Sequence, residues 1–171
     1  MAKRNKKNKN FLILFVVAVL LAISGICLYL FLDVVQFYIA DQAVENSVFN
    51  GIDIIFGCKE TLTILFVETS ITILKFSFLN LLPIILVIIA ILFGATKSKL
   101  FNLIGALLLI GAAILIMFAG DFVVFSEEGK KAYDALGGFL SLDIKPTTGA
   151  YVATGLTGCS GICLLLKAVF N

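Results

Sequence analysis

The chain has 171 residues, of which 61% are hydrophobic and only 14% are charged, and its mean hydropathy is +1.12. Soluble domains are about 45–50% apolar, so this composition argues against a soluble fold and indicates a protein that uses the bilayer as solvent. The net charge of +2 is uninformative as a total, whereas its distribution along the chain is informative. The chain has no His, which removes the commonest general base and metal ligand.

The N-terminal region combines a basic tail with a long apolar run. Residues 1–10 carry five positive charges and no acid, and residues 11–32 contain no charged residue. At about 1.5 Å per residue the run spans roughly 33 Å as a helix, enough to cross a bilayer. A cleaved signal peptide is the alternative, but its apolar part is usually about 7–15 residues long. Because the run is longer and no A-x-A site follows it, we expect a retained membrane helix.

Residues 33–78 are predicted to form the first outer loop, with strands. The interval 52–75 contains Lys59, Glu60, Glu68 and Lys75, and a charge near a helix centre costs on the order of 3 kcal/mol on insertion scales. Strands therefore fit better than a membrane helix. The candidates are residues 51–56, 61–67 and 71–78, with Glu68-Thr69-Ser70 as a connection and Leu62, Ile64 and Phe66 on one face, buried under the second loop.

Three further membrane helices are predicted after this loop. They are residues 79–95, with Pro83 in the first turn, residues 100–119 and residues 148–168, and the basic turn 96–99 joins the first two. Residues 120–147 form a second outer loop. Within it, Ser126 is expected to cap a short helix that runs to Leu136 and ends at Gly137-Gly138.

The distribution of charge predicts the orientation. The N-terminal tail, the 96–99 turn and the C-terminal end carry eight of the 13 Lys and Arg residues and no acid, whereas the two long loops carry all 11 acids. Lys and Arg near helix ends favour the cytoplasmic side. We therefore expect a plasma-membrane protein with both termini in the cytoplasm and both long loops outside. Its basic tail is suited to contact anionic lipid headgroups.

Small residues mark candidate packing faces. In the last helix Gly155, Cys159 and Cys163 recur every four residues, and Gly105 and Ala112 belong to a similar set in the third helix. Small residues allow close approach of membrane helices. We expect these faces to pack inside one bundle, with oligomerisation or a membrane-protein partner as the alternative, and Gly155→Leu to lower stability or disrupt assembly.

The functional class follows mainly from what the helices lack. Charged residues are absent from the middle of all four predicted helices, and such residues usually mark ion paths or substrate sites. Only Cys58-Lys59-Glu60 offers nucleophile-like chemistry, without a His to act as base. We expect no enzyme, cofactor, metal site or nucleic-acid partner. The leading hypothesis is a structural, interaction or assembly protein with an extracellular cap, and the alternative is a small transporter, channel or accessory subunit.

The predicted order of helices and loops resembles that of the claudin and peripheral-myelin-protein group. The claudin loop signature contains Trp residues and a Cys pair, whereas this chain has no Trp and only Cys58 in that loop. The resemblance therefore implies only architecture. The stretches GIDIIFGCKE, FSFLNLLPIILVIIAILF and TTGAYVATGLTGCSGICLLL resemble small uncharacterised bacterial four-helix membrane proteins. The expected fold is an α-helical membrane protein, with four transmembrane helices in a bundle and a small extracellular antiparallel β-sheet contributed by the first outer loop.

Overall fold

A computed structural model describes residues 2–39, 42–64, 67–135 and 142–170, with side chains for residues 11–38, 47–59, 72–131 and 143–170. The elements in chain order are α1 (Ala2–Phe31), β1 (Asp33–Ile39), β2 (Gln42–Asn50), α2 (Gly51–Phe56), β3 (Lys59–Ile64), β4 (Val67–Thr72), α3 (Phe78–Gly94), α4 (Lys99–Met117), a 3-10 turn (Ala119–Phe122), α5 (Glu127–Ala135), β5 (Leu142–Pro146) and α6 (Thr148–Phe170).

Three helices in the described part of the chain are long and apolar enough to cross a membrane. They are α1, over Phe11–Phe31, together with α4 and α6, and the fourth apolar helix, α3, is shorter at 17 residues. The predicted positions of all four helices are confirmed to within a few residues, except that α1 begins at Ala2. Pro83 lies in the second turn of α3, not the first, so the carbonyl of Leu79 lacks its usual helical N–H partner.

The long helices form one bundle, in which α6 packs against α1 and α4, and α4 also packs against α3. Alanine supplies much of the interior, because Ala22, Ala90, Ala106 and Ala112 are all fully buried. A Cβ on Gly105 would lie 2.9 Å from the Ala90 carbonyl oxygen, which shows how closely α3 and α4 approach. The bundle is therefore held by close backbone contact, as is typical of helices that pack in lipid.

Contacts at the two ends of the bundle establish an alternating up-and-down order. Lys167, near the end of α6, contacts Gly94 at the end of α3 and Phe15 in the first half of α1. At the opposite end, Tyr29 of α1 meets Asn80 in the first turn of α3. Both long loops consequently lie at the same end of the bundle, and the 95–98 turn lies at the other.

The loops contribute a three-stranded antiparallel sheet in the order β2-β1-β5. It joins the first loop to the second, because β1 pairs with β5 from Val35↔Pro146 to Ile39↔Leu142. The sequence analysis missed all three strands. It placed the sheet in residues 51–78, and the prediction of a strand at 51–56 is wrong because this segment is the helix α2.

The strands β3 and β4 form a separate antiparallel hairpin, with register from Lys59↔Thr72 to Ile64↔Val67. A membrane helix over 52–75 is thus ruled out, as predicted. The prediction for 71–78 is wrong, since β4 ends at Thr72 and Leu74 forms only an isolated bridge with Phe125. Glu68-Thr69-Ser70 lies inside β4. Residues 65–66, between β3 and β4, lie outside the described residues, and the predicted shared face of Leu62, Ile64 and Phe66 lies outside the residues whose side chains are described.

Candidate functional site

The two loops fold together into a cap over one end of the helix bundle, and the cap begins where α1 meets α6. A Cβ on Gly149 would lie 2.2 Å from the Asp33 carbonyl oxygen, so only glycine fits at this crossing. The Thr147 hydroxyl donates to the same carbonyl, and its N–H donates to the Val34 carbonyl at 3.0 Å. The root of β1 is thereby fixed against the start of α6.

Helix α2 seats the middle of the first loop on the bundle. Asn50 and Asp53 form a capping box, in which each side chain accepts a hydrogen bond from the other residue's backbone N–H. Ile54 and Ile55 are fully buried. The helix passes close over the end of α1, since a Cβ on Gly51 would lie 2.2 Å from the Tyr29 carbonyl oxygen. The capping box and this close contact explain why GIDIIF forms a helix despite its β-branched residues.

The linking segment, residues 73–77, joins the first loop to the second by backbone hydrogen bonds. The N–H of Lys75 donates to the Val124 carbonyl at 2.8 Å, and the N–H of Ser126 donates to the Ile73 carbonyl at 2.9 Å. The Ser77 hydroxyl donates to the Phe122 carbonyl at 2.7 Å. These bonds replace the strand pairing that was expected for 71–78.

Ser126 extends this link to α5. Its hydroxyl donates to the Thr72 carbonyl and accepts from the Gly129 N–H at 2.8 Å, which is the predicted helix cap. The predicted short helix is confirmed over Glu127–Ala135, whereas Leu136 and Gly137-Gly138 lie outside the described residues. The Thr72 N–H also donates to the Glu128 carboxylate at 3.1 Å. One serine therefore joins the hairpin and the second loop.

Exposed aromatic side chains mark the level at which cap and bundle meet. Each long helix has one at its cap end, and their exposed fractions are 70% for Phe31, 58% for Phe78, 53% for Phe118 and 52% for Tyr151. Below this level the outer surface of the bundle is apolar, with Leu92 and Leu107 more than half exposed. Aromatic residues at the end of an apolar surface are typical of the boundary between hydrocarbon and headgroups.

A buried polar contact lies just inside this level. The hydroxyl of Tyr29, which is fully buried, donates to the Asn80 backbone carbonyl at 2.8 Å. Asn80 is 1% exposed, and among the described residues neither its side-chain oxygen nor its side-chain nitrogen has a hydrogen-bond partner. This contact connects α1 to the first turn of α3 at the cap end.

The predicted packing residues divide between two environments. Gly105 and Ala112 are buried in the bundle. In contrast, Gly155 and Cys159 lie on an exposed surface, where a Cβ on Gly155 would meet no atom within 4 Å, and Cys163 is half-buried. The expectation that Gly155 and Cys159 pack inside the bundle is therefore wrong. Helix α6 instead buries its opposite face through a series that includes Ala150, Ala153, Thr157, Ser160, Gly161 and Leu164.

The sequence analysis also missed Lys167 as a buried group. It is 7% exposed, and its ammonium donates to the carbonyls of Gly94 and Thr96 and to the side-chain oxygen of Asn102, the last two at 3.3 Å. The ammonium also lies 4.7 Å from the centre of the Phe15 ring. A cation that caps the carbonyl end of a helix is favourable, and here it joins all four long helices.

Few groups suited to catalysis come together. Cys58 is half-buried at the start of the hairpin, and its carbonyl accepts from the Ile73 N–H at 3.0 Å, which is a structural contact. Across the described ranges, no three His, Cys, Asp or Glu side chains converge in a way that could hold a metal ion.

Among the residues that the structure describes, two hollows open at the junction of cap and bundle. The larger, of about 380 Å³, lies beside the start of α6 and includes Asp33 and Gln36. The smaller, of about 200 Å³, lies at the end of α4 beneath β5 and includes Asp121 and Ile144. Both hollows open to the protein surface.

Comparisons with protein-family models, with curated proteins and with solved structures find no match. The class is therefore defined by the chain itself, as a mainly helical protein with three apolar helices of membrane-spanning length and a small three-stranded antiparallel sheet.

Proposed function

We propose that this chain is a four-span plasma-membrane protein whose cap, on the outer side, mediates interaction or assembly without catalysis. The observation that carries the proposal is the construction of the cap. Both loops are joined through β1–β5 pairing and through the linking segment into one body, and an exposed aromatic side chain lies at the cap end of each long helix.

The four-span arrangement requires that α3 also crosses. Its 17 residues match the lower limit of the range of about 17–25 residues for a membrane helix. It is enclosed on one side by α4, and the exposed side chains of Ile88 (55%) and Leu92 (64%) are apolar. The excess of Lys and Arg at the end away from the cap supports a cytoplasmic location of the termini.

Orientation is tested by single-cysteine labelling in intact cells, after replacement of the four native cysteines. An impermeant maleimide should label a cysteine at Glu127, in the cap, and should label one at Lys6 only after the membrane is permeabilised. Labelling of Lys6→Cys in intact cells, with none at Glu127→Cys, would contradict the assignment.

The interaction role is tested with a photo-crosslinking amino acid at exposed positions. Lys130, on α5 in the cap, and Leu92, on the apolar surface of α3, are both exposed. We expect protein adducts, or adducts to a second copy, from position 130 and lipid adducts from position 92. Adducts to lipid alone from both positions would refute an interaction surface at this part of the cap.

A transporter or channel remains the second candidate because polar groups are buried at both ends of α3. Asn80 and Asn102 are 1% and 0% exposed, and each has an unpartnered amide nitrogen. Between them, however, the interior is filled by side chains such as Ala90, Ala106 and Leu109, all fully buried. This packing favours the first candidate. Ion or solute flux in proteoliposomes above the level of empty vesicles would support the second.

A further inference from the structure

The larger hollow is a groove between the root of the sheet and the first turn of α6. It has a volume of about 380 Å³, and its walls include Leu32, Asp33, Gln36, Val48, Thr148 and Val152. Its floor is fixed, because the Thr147 hydroxyl and N–H bond to the carbonyls of Asp33 and Val34. The groove is thus a permanent feature of the junction between cap and bundle.

The groove is polar on one side and apolar on the other. Leu32 and Val152 are each 44% exposed and continue the apolar outer surface of α1 and α6. Asp33, Gln36 and Thr148 belong to the cap side, where the chain leaves the helices. This division of polarity matches a molecule whose apolar chains lie along the helices and whose polar head reaches the cap.

The position of the groove along the helix bundle also fits such a molecule. Phe31 and Tyr151, which immediately precede Leu32 and Val152, belong to the exposed aromatic residues at the cap end of the helices. In the proposed four-span arrangement this is the level of the outer-leaflet headgroups. A surface depression at that level is in permanent contact with phospholipid.

The charge of the groove selects among headgroups. Among the wall residues that the structure describes, Asp33 is the ionisable one, and the salt bridge described in the neighbouring sheet joins Lys145 to Asp143 and does not involve Asp33. A primary ammonium can donate hydrogen bonds to this carboxylate and to the Gln36 side-chain oxygen. A trimethylated ammonium carries the same charge but has no donor, and an anionic glycerol headgroup is repelled.

We propose that this groove binds the headgroup of an outer-leaflet phospholipid with a primary amine, the Asp33 carboxylate accepting from its ammonium. The inference rests on the membrane placement proposed above and adds a ligand class to it. It assigns the bound amine to a lipid because the apolar side of the groove is continuous with the lipid-facing helices.

The test uses the full chain in mixed micelles that contain equal amounts of phosphatidylethanolamine, phosphatidylcholine and phosphatidylglycerol with identical acyl chains. Native mass spectrometry then measures which lipid remains bound. We expect the ethanolamine lipid to be retained about three- to tenfold over the choline lipid, the range that the net contribution of one ordinary hydrogen bond provides at an exposed site. Free ethanolamine phosphate added in excess should not displace it, since it lacks the acyl chains.

Two variants locate the preference. Asp33→Asn keeps the size and the backbone bonds of residue 33 and should reduce retention of the ethanolamine lipid to that of the choline lipid. Asp121→Asn removes an exposed acid beside the other hollow and should leave the preference unchanged. Equal retention of the two lipids by the natural chain, persistence of the preference in Asp33→Asn, or an equal loss in Asp121→Asn would each overturn the proposal.

A separate measurement distinguishes failure of this inference from failure of the membrane placement. The chain should float with liposomes and resist extraction by alkaline carbonate. Flotation without a lipid preference refutes the headgroup site alone, whereas extraction by carbonate refutes both the site and the four-span proposal.

Discussion

The crossing of α6 and β1 provides a sharp test of the structure, because two glycines of the same helix have opposite surroundings. A Cβ at Gly149 would lie 2.2 Å from the Asp33 carbonyl oxygen, a backbone atom, whereas a Cβ at Gly155 would meet nothing within 4 Å. Gly149→Ala therefore forces the start of α6 away from β1, and Gly155→Ala does not change any contact.

The two substitutions are expected to change the free energy of unfolding in opposite directions. Overpacking costs typically about 1–3 kcal/mol, and Gly149 is the second residue of α6, where the gain in helix propensity is small. At Gly155, inside the helix, alanine should gain up to about 1 kcal/mol. With about 2–4 °C per kcal/mol for a chain of this size, the two variants should differ in melting temperature by several degrees.

The assay is thermal unfolding of both variants in the same mild detergent. Unfolding is monitored by circular dichroism and by the loss of monodisperse elution. We expect Gly149→Ala to melt below the natural chain and Gly155→Ala to melt at or above it. Equal melting temperatures, or the reverse order, would refute the close contact at the root of the cap. Gly155→Leu has room in the isolated chain, so any effect of it on assembly would indicate a contact with another molecule.

Three further variants address individual contacts. Tyr29→Phe removes the hydroxyl that donates to the Asn80 carbonyl and should lower the free energy of unfolding by about 1 kcal/mol, and an unchanged unfolding curve would contradict that bond. Lys167→Met leaves the acceptors of Gly94, Thr96 and Asn102 without their donor and should lower the free energy of unfolding by about 1–3 kcal/mol. Lys97→Met, at an exposed position of the turn, serves as a control with a smaller expected loss of stability. Ser126→Ala removes the cap of α5 and the bond to Thr72 and should cost about 1–2 kcal/mol and speed hydrogen exchange at the Gly129 amide, whereas protection equal to that of the natural chain would show that the serine does not hold α5.

The helices could be predicted closely because hydropathy and length determine them. The helix Phe78–Gly94 was expected at 79–95 and the helix Thr148–Phe170 at 148–168. Strand β3 could be located approximately from its β-branched residues, since a strand was expected at residues 61–67. Strand β4 was misplaced, because Val67–Thr72 covers the expected connection 68–70 and overlaps the expected strand 71–78 only at its last two residues. For the helices and β3 the signal is local, so no distant part of the chain needs to be known.

The elements that were predicted wrongly depend on contacts between distant segments, or on short sequence motifs that were not used in the prediction. Asn50 and Asp53 have the spacing of a capping box, which outweighs the β-branched residues of 51–56. The strand Leu142–Pro146 has only five residues, and its partner lies more than 100 positions earlier in the chain. Its pairing could not be inferred from either segment alone.

The candidate packing face of α6 was misassigned because this helix has small residues on several sides. Spacing alone could not distinguish Gly155, Cys159 and Cys163 from the residues that α6 buries. A better signal was available in the polar residues Thr157, Ser160 and Lys167, which lie together on one side at helical spacing. Polar groups in an apolar helix turn toward protein, so they identify the buried face.

The pairing of β5 with β1 also constrains the order in which the protein can be assembled during synthesis. In the proposed four-span arrangement, the hairpin β1–β2 can form as soon as residue 50 has crossed the membrane, but the other edge of β1 has no partner until residues 142–146 follow. In that interval α3 and α4 must be inserted, and the buried residues Val35 and Phe37 have only part of their final surroundings. Strand β5 therefore completes the sheet of the cap just before α6 completes the bundle. In that arrangement, a nascent chain stalled before β5 would present an open strand edge outside the membrane.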